Sequence, residues 1–167
     1  VDGVPVTFEV VEQPQQQQGA IIEQSPLISG ASGQPGVATA QVRLGHKTGD
    51  YVIKASTNVL PESEFVRFRI TAIHDDAYYL EKYDGDLQHM TFNRELNEPI
   101  IVKVMDVYEN PVPNENIFFF TEDAAAHGQP EYDHVLTDEN GMAENRWIIG
   151  SNRTNELIAQ KIGLRSW

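Results

Sequence analysis

The sequence predicts an all-β chain made of two tandem β-sandwich units. Three observations lead there. Short stretches alternate apolar and polar residues with a period of two, turn signals rich in Gly, Pro, Asn and Asp separate them, and two segments occur twice. No stretch of the 167 residues has the length and periodicity of a long amphipathic helix. A sheet with one apolar face must cover it, and a second sheet packed face to face does so.

The repeat sets the organisation. Gly3-Val4-Pro5-Val6-Thr7-Phe8 resembles Asn114-Glu115-Asn116-Ile117-Phe118-Phe119, 111 positions on, and the segment from Gly36 to Gly45 resembles that from Gly141 to Gly150, 105 positions on. The two copies differ by 6 residues in the loop between. His74-Asp75-Asp76 is the predicted boundary, giving units 1–74 and 75–167.

In chain order, Val4 to Val11 reads as a strand and residues 13–19, with four consecutive glutamines, as an exposed polar loop. A second loop, 29–36, leads to Val37–Leu44, whose alternation predicts a half-buried strand. The turn 45–50 and the apolar run Tyr51–Ala55 then predict a hairpin with that strand. After the polar connection 58–64, Phe65–Ile73 alternates again.

The second unit opens with a strand over Ala77–Tyr83 and the turn Asp84-Gly85-Asp86. From Glu98 to Phe120 the chain reads as strand, stiff corner, strand. The β-branched run ends at Asp106, an acidic residue expected to leave the core, and Asn110-Pro111-Val112-Pro113 fixes φ and removes N–H groups. Gly and Pro break residues 121–130, leaving Ala124–Ala126 room for one helical turn. Short strands are expected at Asp133–Thr137, Met142–Ile149 and Asn155–Ile162.

Composition excludes several functions. A net charge of -13 and a pI near 4.6 oppose binding to nucleic acid or an anionic membrane. Without Cys there is no disulfide frame, no thiolate nucleophile and no Cys-type zinc site. No run of 18 apolar residues is present to insert into a membrane as a helix. The start at Val1 suggests a processed or excised piece.

Candidate chemistry is sparse. His46, His74, His89, His127 and His134 are scattered, and even His127, Asp133 and His134 read as solvated groups. Asp84, Asp86 and Asp138 offer oxygen ligands, so calcium is the one cofactor left open, although neither segment has a full calcium-loop spacing. Asp75-Asp76 reads as an exposed hinge beside the sharper reading of a paired-carboxylate site. Tyr78, Tyr79, Tyr83, Phe118, Phe120 and Trp147 are expected mainly to fill the core, and a binding platform is the alternative. Asn152-Arg153-Thr154 is a glycosylation sequon. There is no nucleophile elbow and no phosphate-cradling glycine loop.

Six motifs in order then carry a family resemblance. Gly85-Asp86-x-Gln88, Leu96-x-x-Pro99-Ile-x-Val-x-Val-x-Asp106, Asn110-Pro-Val-Pro113, Ile117-x-Phe119, Thr137-Asp-x-x-Gly141-x-Ala143 and Gly150 resemble the group 1 bacterial Ig-like domain of the invasin and intimin repeats, over most of residues 77–164. The first unit resembles the second half of that domain through Gly3–Phe8, Gly36-Val-Ala38 and Leu44-Gly45. The resemblance implies tandem Ig-like sandwiches outside a bacterial cell, used as stalks or adhesive tips, with no catalytic residues. Their partners would be neighbouring Ig-like domains and a receptor on a host or other cell surface. It also implies that the first unit lacks its opening strands and the second its closing strand. One alternative is therefore a fibre assembled by strand exchange between identical subunits, with Val4, Val6, Phe8, Leu157, Ile158 and Ile162 as the interface. Another is a carbohydrate-binding accessory module, which needs a row of solvent-facing aromatics.

Overall fold

The computed structural model describes residues 1–15, 18–23, 27–31, 33–61, 64–162 and 165–166. Gln16 and Gln17 of the glutamine run, Ser32 of the second loop, and Glu62 and Ser63 of the 58–64 connection lie outside the described residues, as do Gly163, Leu164 and Trp167. Among the described residues the fold is all-β apart from one helical turn, and the chain divides into two compact units, Val1–Ile73 and His74–Trp167.

The first unit contains β1 (Pro5–Glu12), β2 (Ile21–Ile22), β3 (Leu27–Ile28), β4 (Val42–Arg43), β5 (Gly49–Ser56) and β6 (Phe65–Ala72). Its main sheet has the order β3-β1-β5-β6, and β2 pairs with β4 as a separate ribbon. The period of two sorts side chains by chemistry. Tyr51 and Ile53 lie on one face with the paired Ile70 and Phe68. The other face carries a Glu9–Lys54 ion pair at 2.8 Å across directly paired positions, and Asp50 accepts from Arg69 Nη1 at 2.8 Å and Thr71 Oγ1 at 2.7 Å.

The second unit contains β7 (Tyr79–Asp84), β8 (Ile100–Met105), β9 (Asn116–Phe120), the turn of helix α1 (Ala124–His127), β10 (Gly128–Pro130), β11 (His134–Leu136), β12 (Met142–Asn145), β13 (Trp147–Ile149), β14 (Ile158–Gln160) and β15 (Arg165–Ser166). One sheet runs β12-β8-β7-β15, the other β11-β9-β14, and β10 pairs with β13. Val102 and Val104 of β8 and Ala143 of β12 pack with Ile117 and Phe119 of β9 to form the core of a β-sandwich. Leu96, Trp147 and Ile149 form a second buried cluster. Each large side chain so buried contributes about 1.5–3 kcal/mol.

Pairs in the hydrogen-bond ladders of the two units match at regular offsets. Pro5 opposite Ile28 and Val6 opposite Leu27 recur as Asn116 opposite Leu136 and Ile117 opposite Val135, offsets of 111 and 108. Phe8 opposite Ala55 recurs as Phe119 opposite Ala159, offsets of 111 and 104. The ribbon repeats too, with Ile22 opposite Val42 matched by Pro130 opposite Trp147 at 108 and 105. Thus β3-β1-β5 and β11-β9-β14 share strand order and these pairs.

Several expectations are corrected. Val37–Leu44 does not form a hairpin with Tyr51–Ala55: only Val42–Arg43 is a strand, and it pairs with β2, while β5 lies between β1 and β6. The burial still alternates, with 38, 40, 42 and 44 half-buried and 37, 39, 41 and 43 exposed. Residues 37–40 correspond to β12, which is held by β8 in the second unit, and no counterpart of β8 lies among the described residues of the first. Met142–Ile149 is two strands that part at Arg146, because β12 joins β8 and β13 joins β10. The strand expected over Asn155–Ile162 shortens to Ile158–Gln160 and is not the last, since β15 follows it and pairs with β7. Helix α1 is the expected single turn, capped by Asp123, whose carboxylate accepts from Ala125 and Ala126 N–H groups.

Asp106 is the largest correction, since it is fully buried. Its Oδ1 accepts from the N–H groups of Tyr108 and Asn110, both at 2.8 Å. Oδ2 accepts from Asp75 N at 3.0 Å and Asn110 Nδ2 at 2.8 Å. Four donors satisfy the carboxylate, and no cation is paired with it among the described residues. Beside it the Thr137 hydroxyl donates to Val112 O at 2.8 Å and accepts from Glu115 N at 2.9 Å, tying the crossing between the sheets to the end of β11. Gly141 closes the same region with φ 72°, and a Cβ there would lie 2.5 Å from Val104 O and 3.0 Å from Val112 N. Gly141→Ala therefore combines a left-handed backbone with a clash against main chain. It is expected to destabilise the second unit by about 2–3 kcal/mol in urea unfolding. A loss below about 0.5 kcal/mol would show that the turn relaxes freely.

Candidate functional site

Each of the larger sheets has two edge strands among the described residues, and two of these edges, β6 and β14, bear on pairing. The sheet of the first unit ends at β6, and the three-stranded sheet of the second ends at β14. On β6, Val66 is 58% and Phe68 50% exposed, and Phe65 and Ile70 are also exposed. An edge strand with free N–H and C=O groups and exposed apolar side chains is a template for pairing.

Beside β14 the second unit has an open groove of about 830 Å³, running between β14 and the β7 edge of the other sheet. Leu80, Val102, Phe119, Trp147, Leu157 and Ala159 line it, so both sheets and the core contribute. Its charged lining holds four carboxylates, Glu81, Asp84, Asp86 and Glu156, against two cations, Lys82 and Arg153. Lys82 is already paired with Asp86. The edge of β7 takes a strand at one end only, where β15 pairs in parallel with Tyr79 and Leu80.

The interface residues expected from sequence fall in different settings. Val4 is half-buried and donates its N–H to Ser29 Oγ at 3.0 Å, Val6 pairs with Leu27, and Phe8 pairs with Ala55. All three therefore lie in or beside a strand with neighbours. Leu157 packs against both buried clusters, Ile158 sits on β14 opposite Phe120, and Ile162 is 74% exposed. The edge strands of the first unit's main sheet are β3 and β6, which no composition rule marks, because edge position follows from strand order.

The oxygen-ligand candidates are occupied locally. Asp138 Oδ1 accepts from Asn140 N at 2.8 Å and Met142 N at 2.9 Å, and the Met142 N–H is the main cause holding its carboxyl below the ordinary value. Asp86 is lowered chiefly by Lys82, then by Leu87 N–H. Asp84 Oδ1 accepts from Gly85 N at 2.7 Å. Of the predicted hinge pair, Asp75 donates its own N–H into the Asp106 cluster, and Asp76 N donates to Asp75 Oδ1 at 2.8 Å. His127 Nδ1 lies 3.2 Å from Glu156 N, and His134 stacks obliquely near Phe118. Among the described residues, no three His, Asp or Glu side chains come together as a metal-binding group.

The aromatic set divides between core and surface. Trp147 is buried and donates Nε1–H to His127 O at 3.0 Å, whereas Tyr78, Tyr83 and Phe120 are exposed. The expectation that these residues mainly fill the core fails for those three. Tyr83 lies on β7 in one sheet and Phe120 on β9 in the other.

The motif residues of the second unit are used in holding its fold. Asp106, Asn110, Thr137 and Gly141 fix the crossing between the sheets as described. Gln88 clamps its loop by donating to Gly85 O and Glu98 O and accepting from Glu98 N. Gly85 itself admits no Cβ, which would lie 2.1 Å from Pro99 O.

Comparison with protein-family models gives no match, and comparison with curated proteins gives none. Among solved structures the chain is similar to the D0-D1 domain of intimin, with 19% sequence identity and a TM-score of 0.39, covering 99% of this chain and 77% of that one.

Burial pushes the Asp106 carboxyl up, but the Asn110 side chain and the N–H groups of Asp75, Asn110 and Tyr108 outweigh it and hold it below the ordinary value. A carboxyl lowered by folding adds stability that is complete above the unfolded pKa of about 4 and is lost as pH falls through the folded value. Asp106→Asn places an amide where only acceptors fit, and is expected to cost the second unit about 2–5 kcal/mol at neutral pH. The difference between wild type and variant should shrink below about pH 4. Urea titrations across pH 3–7 check this, and parallel profiles for the two proteins would remove Asp106 as the titrating group.

Proposed function

We propose that the chain is a non-catalytic Ig-like module of a bacterial surface protein, acting as a stalk or adhesive spacer. The observation that carries this reading is the repeated ladder, in which β3-β1-β5 and β11-β9-β14 share one pairing plan in series along one chain. A series of similar stiff units suits a spacer, and the acidic surface opposes collapse onto like chains. The residues that carry the likeness to invasin and intimin repeats support a bacterial, extracellular setting, and their occupation in structural hydrogen bonds fits a module selected for shape. Its partners in this reading are neighbouring Ig-like domains and, at an adhesive tip, a receptor on another cell. A second reading, a fibre subunit assembled by strand exchange, is favoured by the open edges of β6 and β14.

The surface reading is tested with antibodies raised against the chain. They are expected to label intact cells that produce it, and brief protease treatment of those cells should abolish the signal. Labelling that appears only after permeabilisation would overturn this assignment.

A further inference from the structure

We infer that Asn140 is a modification site, where water converts the side-chain amide to an aspartyl or isoaspartyl group once the surrounding turn opens, and that the native fold holds this reaction back. Asn140-Gly141 is the one Asn-Gly pair in the chain. A Gly after Asn carries no side chain to hinder its backbone nitrogen, so in an open chain this pair reacts with itself more readily than Asn before a bulkier residue. Gly141 N bonds to the Asn140 side-chain carbonyl carbon, the bond from that carbon to the amide nitrogen breaks, and the Gly141 amide proton leaves with that nitrogen as ammonia. The cyclic imide so formed then adds water at either carbonyl. Opening at the side-chain carbonyl leaves an aspartyl residue. Opening at the main-chain carbonyl leaves an isoaspartyl residue, with an extra methylene in the main chain. Nothing is oxidised or reduced, and water is the co-reactant.

In the folded turn both reacting groups are engaged. Gly141 N donates to Asp138 O at 2.9 Å, which opposes loss of its proton. Asn140 Nδ2 donates to Asp138 Oδ2 at 3.3 Å, while Asp138 Oδ1 accepts from Asn140 N at 2.8 Å and Met142 N at 2.9 Å. Asp138 therefore grips the main chain on both sides of the bond that must rearrange. Asn140 is exposed, so water reaches it, whereas Gly141 is buried against Val104 and Val112. Bringing Gly141 N onto the Asn140 carbonyl carbon requires the turn to open, and turns open locally at less cost than a whole unit unfolds. The products do not restore the native turn. Val104 N donates to Gly141 O and Asp138 N to Met142 O, both at 2.8 Å, and a methylene inserted between Asn140 and Gly141 puts these bonds out of register. The aspartyl product instead sets a second carboxylate beside Asp138. The site thus acts as a one-way marker of opening at the crossing between the sheets. It does not rest on a cell-surface location, so either proposal can fail while the other stands.

The test incubates the full chain at neutral pH, folded in buffer and unfolded in guanidinium chloride, beside a peptide of residues 134–146, and follows loss of the Asn140 amide by peptide mapping. The peptide and the unfolded chain are expected to react at rates within about threefold of each other, and the folded chain at least about tenfold more slowly. Asp138→Ala removes three of the turn's hydrogen bonds and should raise the folded-chain rate at least about threefold, measured where tryptophan fluorescence shows the variant folded. Asp138→Asn keeps an oxygen to accept from the two N–H groups and should recover most of the slow rate. The isoaspartyl fraction, separated by ion exchange, should unfold at lower denaturant than the unreacted chain. A folded chain that reacts as fast as the unfolded one, an unfolded chain that keeps its amide, a rate indifferent to Asp138→Ala, or an isoaspartyl product of native stability would each overturn the inference.

Discussion

The second unit depends on one buried carboxylate. Among the described residues Asp106 has no cation beside it, and its charge is held by donors brought from elsewhere in the chain. Two come from the backbone of the turn that follows, one from the Asn110 side chain and one from Asp75 at the start of the unit. Meeting that demand fixes the 106–110 turn and anchors the entry to β7. It also sets the path on which Val112 leaves the β8 sheet for β9, with Val112 N donating to Val104 O at 3.0 Å. Thr137 and Gly141 then complete the same crossing. A hydrophobic core specifies that two sheets meet, whereas this polar cluster specifies how the chain passes between them.

The two units illustrate a division of labour between ladder and loop. Pairing is kept position for position while the offset falls from 111 through 108 and 105 to 104, so the length differences between copies lie in the connections. Side chains differ more freely. Glu9 and Lys54 form an ion pair where Phe120 and Ile158 stand in the second copy. A backbone ladder tolerates such exchange because it needs only alternation toward the core and away from it.

Much of this is legible in the sequence, for definable reasons. The strands β1, β5, β6, β8 and β9 and the single turn α1 follow from period-two alternation and from Gly and Pro placement. The hairpin expected between Val37–Leu44 and Tyr51–Ala55 fails because adjacency in sequence does not ensure adjacency in the sheet, and the true partner of Val42 is Ile22. Asp106 is not legible as a core residue because an acidic group at a strand end reads as solvent-facing until its donors are known, and the Asp75 donor lies 31 residues away. The split at Arg146 leaves no mark, since the apolar pattern continues across it while the pairing partner changes. Edge position is the least legible property. Whether β1 or β6 is open depends on strand order, and strand order is long-range information that alternation does not contain.

An open edge must still avoid indiscriminate pairing, and the charges near the two edges bear on that. On β6 the outer-face positions are Arg67, Arg69 and Thr71, and ionic side chains on an edge strand disfavour apolar sheet-to-sheet stacking. Around the β14 groove carboxylates predominate, and the chain as a whole carries -13. Two such chains repel at long range, but over about 8 Å at physiological salt this repulsion is largely screened. Exposed charges on β6 and around β14 therefore act against association at contact distance, where the backbone groups of an edge strand are common to every strand.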